Sequence, residues 1–136
     1  MRAGWISIAV LALAGGLLVK IMLPVVQEDA QRKLAQLGRR GSDAQIVLLD
    51  AWYRQHGRWP ATLAQAGGSA ELYEPEYDAH AQLAWDAGKA ELTLPVGKGQ
   101  LRRHATLSAS GIPQWDCHAS GLLPQAQRWH LDCTLQ

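Results

Sequence analysis

The stretch GWISIAVLALAGGLLVKIMLPVV, Gly4 to Val26, decides how the rest of the chain is read. No charged residue stands between Gly4 and Val19, and after Lys20 the apolar run resumes through Val26. At about 1.5 Å of rise per residue, a helix of this length crosses a hydrocarbon core of roughly 30 Å. The expectation is an N-terminal transmembrane segment over residues 1–26. Lys20 lies close enough to the end of the run for its long stem to carry the ammonium to the interface. A cleavable signal peptide is the competing reading, since Arg2 gives a basic start and Ala12-Leu13-Ala14 has small-x-small spacing. Cleavage there would leave Gly15 to Val26 as an exposed apolar tail, so the uncut anchor is the simpler reading. Within the stretch, Gly15-Gly16 and Pro24 bracket a segment able to bend, with weak packing at one end and a lost backbone hydrogen bond at the other.

The chain has 136 residues, and the span leaves about a hundred of them for one small domain, residues 27–136. A net charge of +1 points to neither nucleic acid nor an acidic substrate. Cys117 and Cys133, sixteen positions apart, are more telling. In an oxidising compartment a disulfide closing such a loop adds about 3 kcal/mol. Zinc is the alternative, but His118 and His130 fit no finger spacing, so the reading is a disulfide. With an anchor, it places residues 27–136 on the oxidising side of the membrane. Charge bias argues the other way, because Arg32, Lys33, Arg39 and Arg40 follow the span and only Arg2 precedes it. Those residues belong to a helix entering a folded domain, after Glu28 and Asp29, so the disulfide is given precedence.

A helix over 27–56 continues from the span. Gly38-Arg39-Arg40-Gly41 is expected to weaken it, with Ser42 or Asp43 capping a fresh start. Ile46, Val47, Leu48, Leu49, Ala51, Trp52 and Tyr53 are too many for one narrow stripe, which predicts broad coverage of this part by the domain. Gly57 is the expected stop, and Pro60 bars Trp59 from the helix. Residues 57–80 read as a loop with a short helical turn between Pro60 and Ala66. Strands fill 81–136: Gln82 to Asp86, Ala90 to Val96 across a hairpin at Ala87-Gly88-Lys89, Arg103 to Ala109, Ile112 to Cys117, and Arg128 to Thr134. The fold class is α+β, a long N-terminal transmembrane-to-amphipathic spine helix packed on a small antiparallel sheet.

Several motifs in chain order resemble the type IV pilins and pilin-like proteins. They are the apolar helix ending at Leu23-Pro24, then Gln27-Glu28-Asp29, the helix to Trp52-Tyr53, the turn His56-Gly57-Arg58-Trp59-Pro60, and Trp115-Asp116-Cys117 with a second cysteine following. The resemblance implies a single-pass inner-membrane protein whose domain lies in the periplasm. Its partners would be other pilin-like subunits or pilus assembly proteins, with adhesion, motility or DNA uptake as associated roles. Family members are cut after a leader glycine, and Gly4-Trp5 is the corresponding candidate processing site. The family's glutamate beyond the cut has no counterpart in Ile6-Ser7-Ile8-Ala9. That departure brings in a second expectation, an inner-membrane accessory that binds pilins without polymerising.

Other chemistries find little footing. His56, His80, His104, His118 and His130 are scattered, and Ser120, Asp116 and Asp132 form no nucleophile-base arrangement, so no enzyme and no cofactor are expected. The cysteines lack C-x-x-C redox spacing. Glu74, Glu76 and Asp78 lack the ligand spacing of a calcium loop, so no metal is expected. DNA contact would fall on Arg102, Arg103 and His104, or on Arg39 and Arg40. Five of the six tryptophans, Trp52, Trp59, Trp85, Trp115 and Trp129, are read as core and loop anchors.

Overall fold

Ala35, Gly38, Ser42, Gln45 and Leu49 recur at intervals of three and four, and all are buried along one side of a helix. That helix is α1 (Arg2–His56) in a computed structural model that describes the backbone of residues 2–136 and the side chains from Pro24 onward. The chain divides into two compact units, residues 1–30 and 31–136. In the first, Val25 and Val26 are exposed. Most of the stretch from Gly4 to Val26, with the candidate processing site Gly4-Trp5, lies outside the residues whose side chains are described. Among the described residues no helix is long and apolar enough to cross a membrane.

In the second unit, α1 packs on antiparallel sheets. A hairpin pairs β1 (Glu71–Glu74) with β2 (Ala79–Gln82). The larger sheet contains β3 (Ala84–Asp86), β4 (Glu91–Val96), β5 (Gly99–Leu107), β6 (Pro113–Trp115), β7 (His118–Ser120) and β8 (Thr134–Leu135). Its order is β3-β4-β5-β7-β8, with β6 also paired to β5. One edge of β5 pairs with β4, while β7 pairs at Gln100–Arg102 and β6 at Ala105–Leu107. β6 and β7 are thus one strand interrupted at Asp116-Cys117. Leu92, Leu94 and Val96 of β4 alternate inward, as do Leu101, Arg103 and Ala105 of β5. With Ala35, Ile46, Leu49, Leu63, Leu72, Trp129 and Leu131 they make the core.

The expected helix break does not occur: α1 runs unbroken through Gly38 and Gly41, and Ser42 is an interior residue. The glycines are there for close approach. A Cβ on Gly38 would overlap Leu94 Cδ2, and one on Gly41 would overlap the Leu72 methyls. Exchanging Gly38 for alanine therefore opposes two effects. Helix propensity favours alanine by about 1 kcal/mol, whereas overpacking against the fully buried Leu94 costs about 1–3 kcal/mol. We expect Gly38→Ala to lower the urea midpoint, where an exposed helical glycine would show a rise.

Broad coverage of residues 43–56 is also not observed. Only one stripe is covered, and Val47 is 68% exposed. The segment 57–80 is not all loop, because its second half folds as β1 and β2, with Leu72 buried over Gly41 and the turn at Pro75–Asp78. A 3-10 turn at Ala64–Ala66 matches the expected short helical turn. Gly57 ends α1 with φ +70° and donates its N–H to the Tyr53 carbonyl at 2.7 Å. In the β3–β4 connection it is Ala90, not Gly88, that takes positive φ, at 52°. The expected strand Arg128 to Thr134 is instead a 3-10 turn, Pro124–Arg128, followed by irregular chain and β8. His130 and Asp132 at φ 54° and 55° interrupt the extended backbone there. β8 then pairs with β7 in parallel, where an antiparallel pair was expected.

Candidate interaction surface

The inward face of α1 is fixed by polar as well as apolar contacts. Arg103 stands on the core face of β5, opposite Leu92. Its Nε donates to the Asp116 carbonyl at 2.9 Å, the group freed where β6 and β7 separate. One terminal nitrogen donates to Ser42 Oγ at 2.9 Å and to Asp43 Oδ1 at 2.6 Å. Arg39 donates to the same Asp43 oxygen from one helical turn back, and its Nε reaches the Leu131 carbonyl at 2.9 Å. Burial pulls the Arg103 guanidinium below the ordinary arginine value, and the hydrogen bond it donates to Asp43 opposes that shift. Gln45 adds a second polar tie, its Oε1 accepting the Ser69 N–H at 2.9 Å. A third lies near the start of the unit, where Gln31 Oε1 accepts the Leu123 N–H at 2.8 Å.

Aromatic rings hold the end of α1. Trp59 lies edge-on to Trp85 and Trp115, with centroids 5.8 Å and 5.6 Å away, and Tyr53 is 4.5 Å from Trp59. Trp85 Nε1 donates to the Pro60 carbonyl and Trp115 Nε1 to Asp50 Oδ1, both at 2.8 Å. These tryptophans anchor the turn after the helix, as their polar tips and apolar bodies allow.

With one side of α1 fixed, the other is open. Ala44, Val47 and Ala51 are exposed and Leu48 is partly so, at i, i+3, i+4 and i+7 spacing. This is an apolar line on the outer face of a rigid helix. Its small alanines would let a second helix come close, and Val47 would be the knob. The signal was present in the sequence, but reading residues 43–56 as broadly covered concealed it.

The residues named from sequence fall elsewhere. Cys117 and Cys133 form the expected disulfide, with Cα atoms 4.6 Å apart. It joins β7 to β8 beside the backbone bond from Thr134 N–H to the Cys117 carbonyl at 2.8 Å. Of the basic residues considered for DNA, Arg103 is turned inward with its side chain only 7% exposed, so its guanidinium is not offered to a phosphate. Arg102 is on the surface 3.9 Å from Glu91 Oε2. His104 and His118 flank Asp116 Oδ2 at 4.0 Å and 3.5 Å. Among the described residues no group of histidine, cysteine or carboxylate side chains is placed to hold a metal ion. No protein-family model matches the chain, and no curated protein matches it.

Proposed function

We propose that this protein is a membrane-anchored, pilin-like assembly component of a type IV pilus or a related filament, working through the open apolar face of α1. The observation that carries the reading is the exposure of Val47 between Ala44 and Ala51, on a helix whose opposite face is locked to the sheet. A single exposed valine is ordinary. A line of small apolar residues at helical spacing on a fixed helix suits packing against another helix, and a second pilin-like subunit supplies one. The anchor rests on the uncharged run from Gly4 to Val19, and the periplasmic placement on Cys117–Cys133, since disulfides persist in oxidising compartments. Neither catalysis nor DNA contact belongs to the reading.

The test is Val47→Asp in cells that make the protein. We expect the variant to disappear from the sheared surface fraction and remain in the membrane fraction, with the melting temperature of the purified protein unchanged. Equal recovery of variant and parent in the sheared fraction would remove α1 from the interface. If the parent protein itself stays wholly in membranes, filament entry is wrong, and the accessory role beside the pilins takes its place.

A further inference from the structure

Beside the Arg39–Leu131 contact lies a groove of about 320 Å³, whose lining includes none of Ala44, Val47 and Ala51. Three parts of the chain meet there. α1 supplies Gln36, Arg39 and Arg40, the β1–β2 turn supplies Tyr77, and the irregular segment before β8 supplies Trp129 and His130. The volume is at the lower end of the range for small-ligand sites. No carboxylate is among its lining residues.

The groove is built to donate. Arg40 makes one long hydrogen bond, Nε to the Gln36 carbonyl at 3.4 Å, and its other end lies 3.9 Å from Glu74 Oε2. Its side chain is 64% exposed, so most of its five donors are open. Trp129 is 5% exposed, and its indole N–H is buried without an acceptor. Such a donor is unfavourable when left unsatisfied. Lys33 sits 4.6 Å above the Tyr77 ring and adds positive charge nearby, while Asp43 is taken up by Arg39 and Arg103. The bond from Arg39 Nε to the Leu131 carbonyl holds the Trp129–Leu131 segment against α1 before any ligand arrives.

We infer that this groove binds a small organic carboxylate, its charge paired with Arg40 and its body against Tyr77 and Trp129. A planar two-oxygen anion matches the guanidinium fork, and two aromatic walls match a ring or a sugar face. Val47 is not among the lining residues, so the site is testable on the unassembled protein.

The experiment uses the full-length, 15N-labelled chain in detergent micelles and follows the Trp129 indole N–H resonance. The probes are benzoate and glucuronate, with benzyl alcohol and inorganic phosphate as comparators. We expect a saturable shift with at least one carboxylate and none with benzyl alcohol. The more tightly bound carboxylate tells whether the ligand body is aromatic or a sugar. Arg40→Gln should weaken that binding about tenfold or more, and Arg40→Lys, which keeps the charge without the fork, by less. An unchanged spectrum outside the groove shows that both variants are folded. Absence of saturation by either carboxylate, equal binding of benzyl alcohol, tighter binding of phosphate, or an Arg40→Gln protein that binds like the parent would each overturn the inference.

Discussion

Replacing Cys117 or Cys133 with serine is expected to destabilise the 31–136 unit by about 3 kcal/mol. For a domain of this size that corresponds to a fall in melting temperature of roughly 10–20 °C. The bond closes a loop across a sequence separation of 16, and within that loop the chain contributes Ala119, Ala126, Trp129 and Leu131 to the buried residues. β8 is only two residues long and its side chains are exposed, so little apolar burial of its own holds it to β7. Releasing the disulfide therefore frees both β8 and the segment bonded to α1 at Gln31 and Arg39. Thermal unfolding by circular dichroism, with and without a reductant, measures the effect. A melting temperature indifferent to reductant would show that the loop is held by packing alone.

The second large effect is expected at Asp43. Its carboxylate accepts from Arg39 and Arg103, and only Arg103 is deeply buried. Asp43→Ala leaves the Arg103 guanidinium inside the core with two neutral acceptors, Ser42 Oγ and the Asp116 carbonyl. Fully buried pairs broken in this way lose about 3–5 kcal/mol. Asp43 is about half exposed, so water can partly replace it, and about 2–3 kcal/mol is the expected loss. The companion change Arg103→Met removes the stranded charge and fills much of the same space. The double variant should therefore be more stable than Asp43→Ala alone, a coupling that a double-mutant cycle in urea reads directly. Strictly additive losses would mean that the two side chains act independently.

The α+β class, the stop at Gly57 and the disulfide were legible because each has a local signature: helical spacing, a glycine after the last turn, and two cysteines in one small domain. Gly38 and Gly41 misled for a physical reason. A helical glycine looks like a weak point in one dimension, and its use as a contact with Leu94 or Leu72 exists only in three. Arg103 misled in the same way. Beside Arg102 it looks like half of a basic surface pair, but alternation along β5 turns the two to opposite faces, and Arg103 finds Asp43 from sixty positions away in the chain. The β1–β2 hairpin was hidden by Pro75 and its acidic neighbours, which describe the turn well and the four-residue strands poorly. The Arg40–Trp129 groove had no linear signature, since its walls come from three separated segments.

Two of the bonds that tie α1 to the C-terminal third, Arg39 to Leu131 and Gln31 to Leu123, each span 92 positions. The β3–β4 and β4–β5 pairs, by contrast, close over short connections. Chain-closure entropy makes near contacts quick to form and distant ones slow. The sheet meander can thus organise while the inward side of the helix is still bare, and the clasp at Leu123–Leu131 comes last. On that order the helix is expected to pass through a stage with both sides uncovered, and the segment that closes at the end is the same one that walls the Arg40 groove.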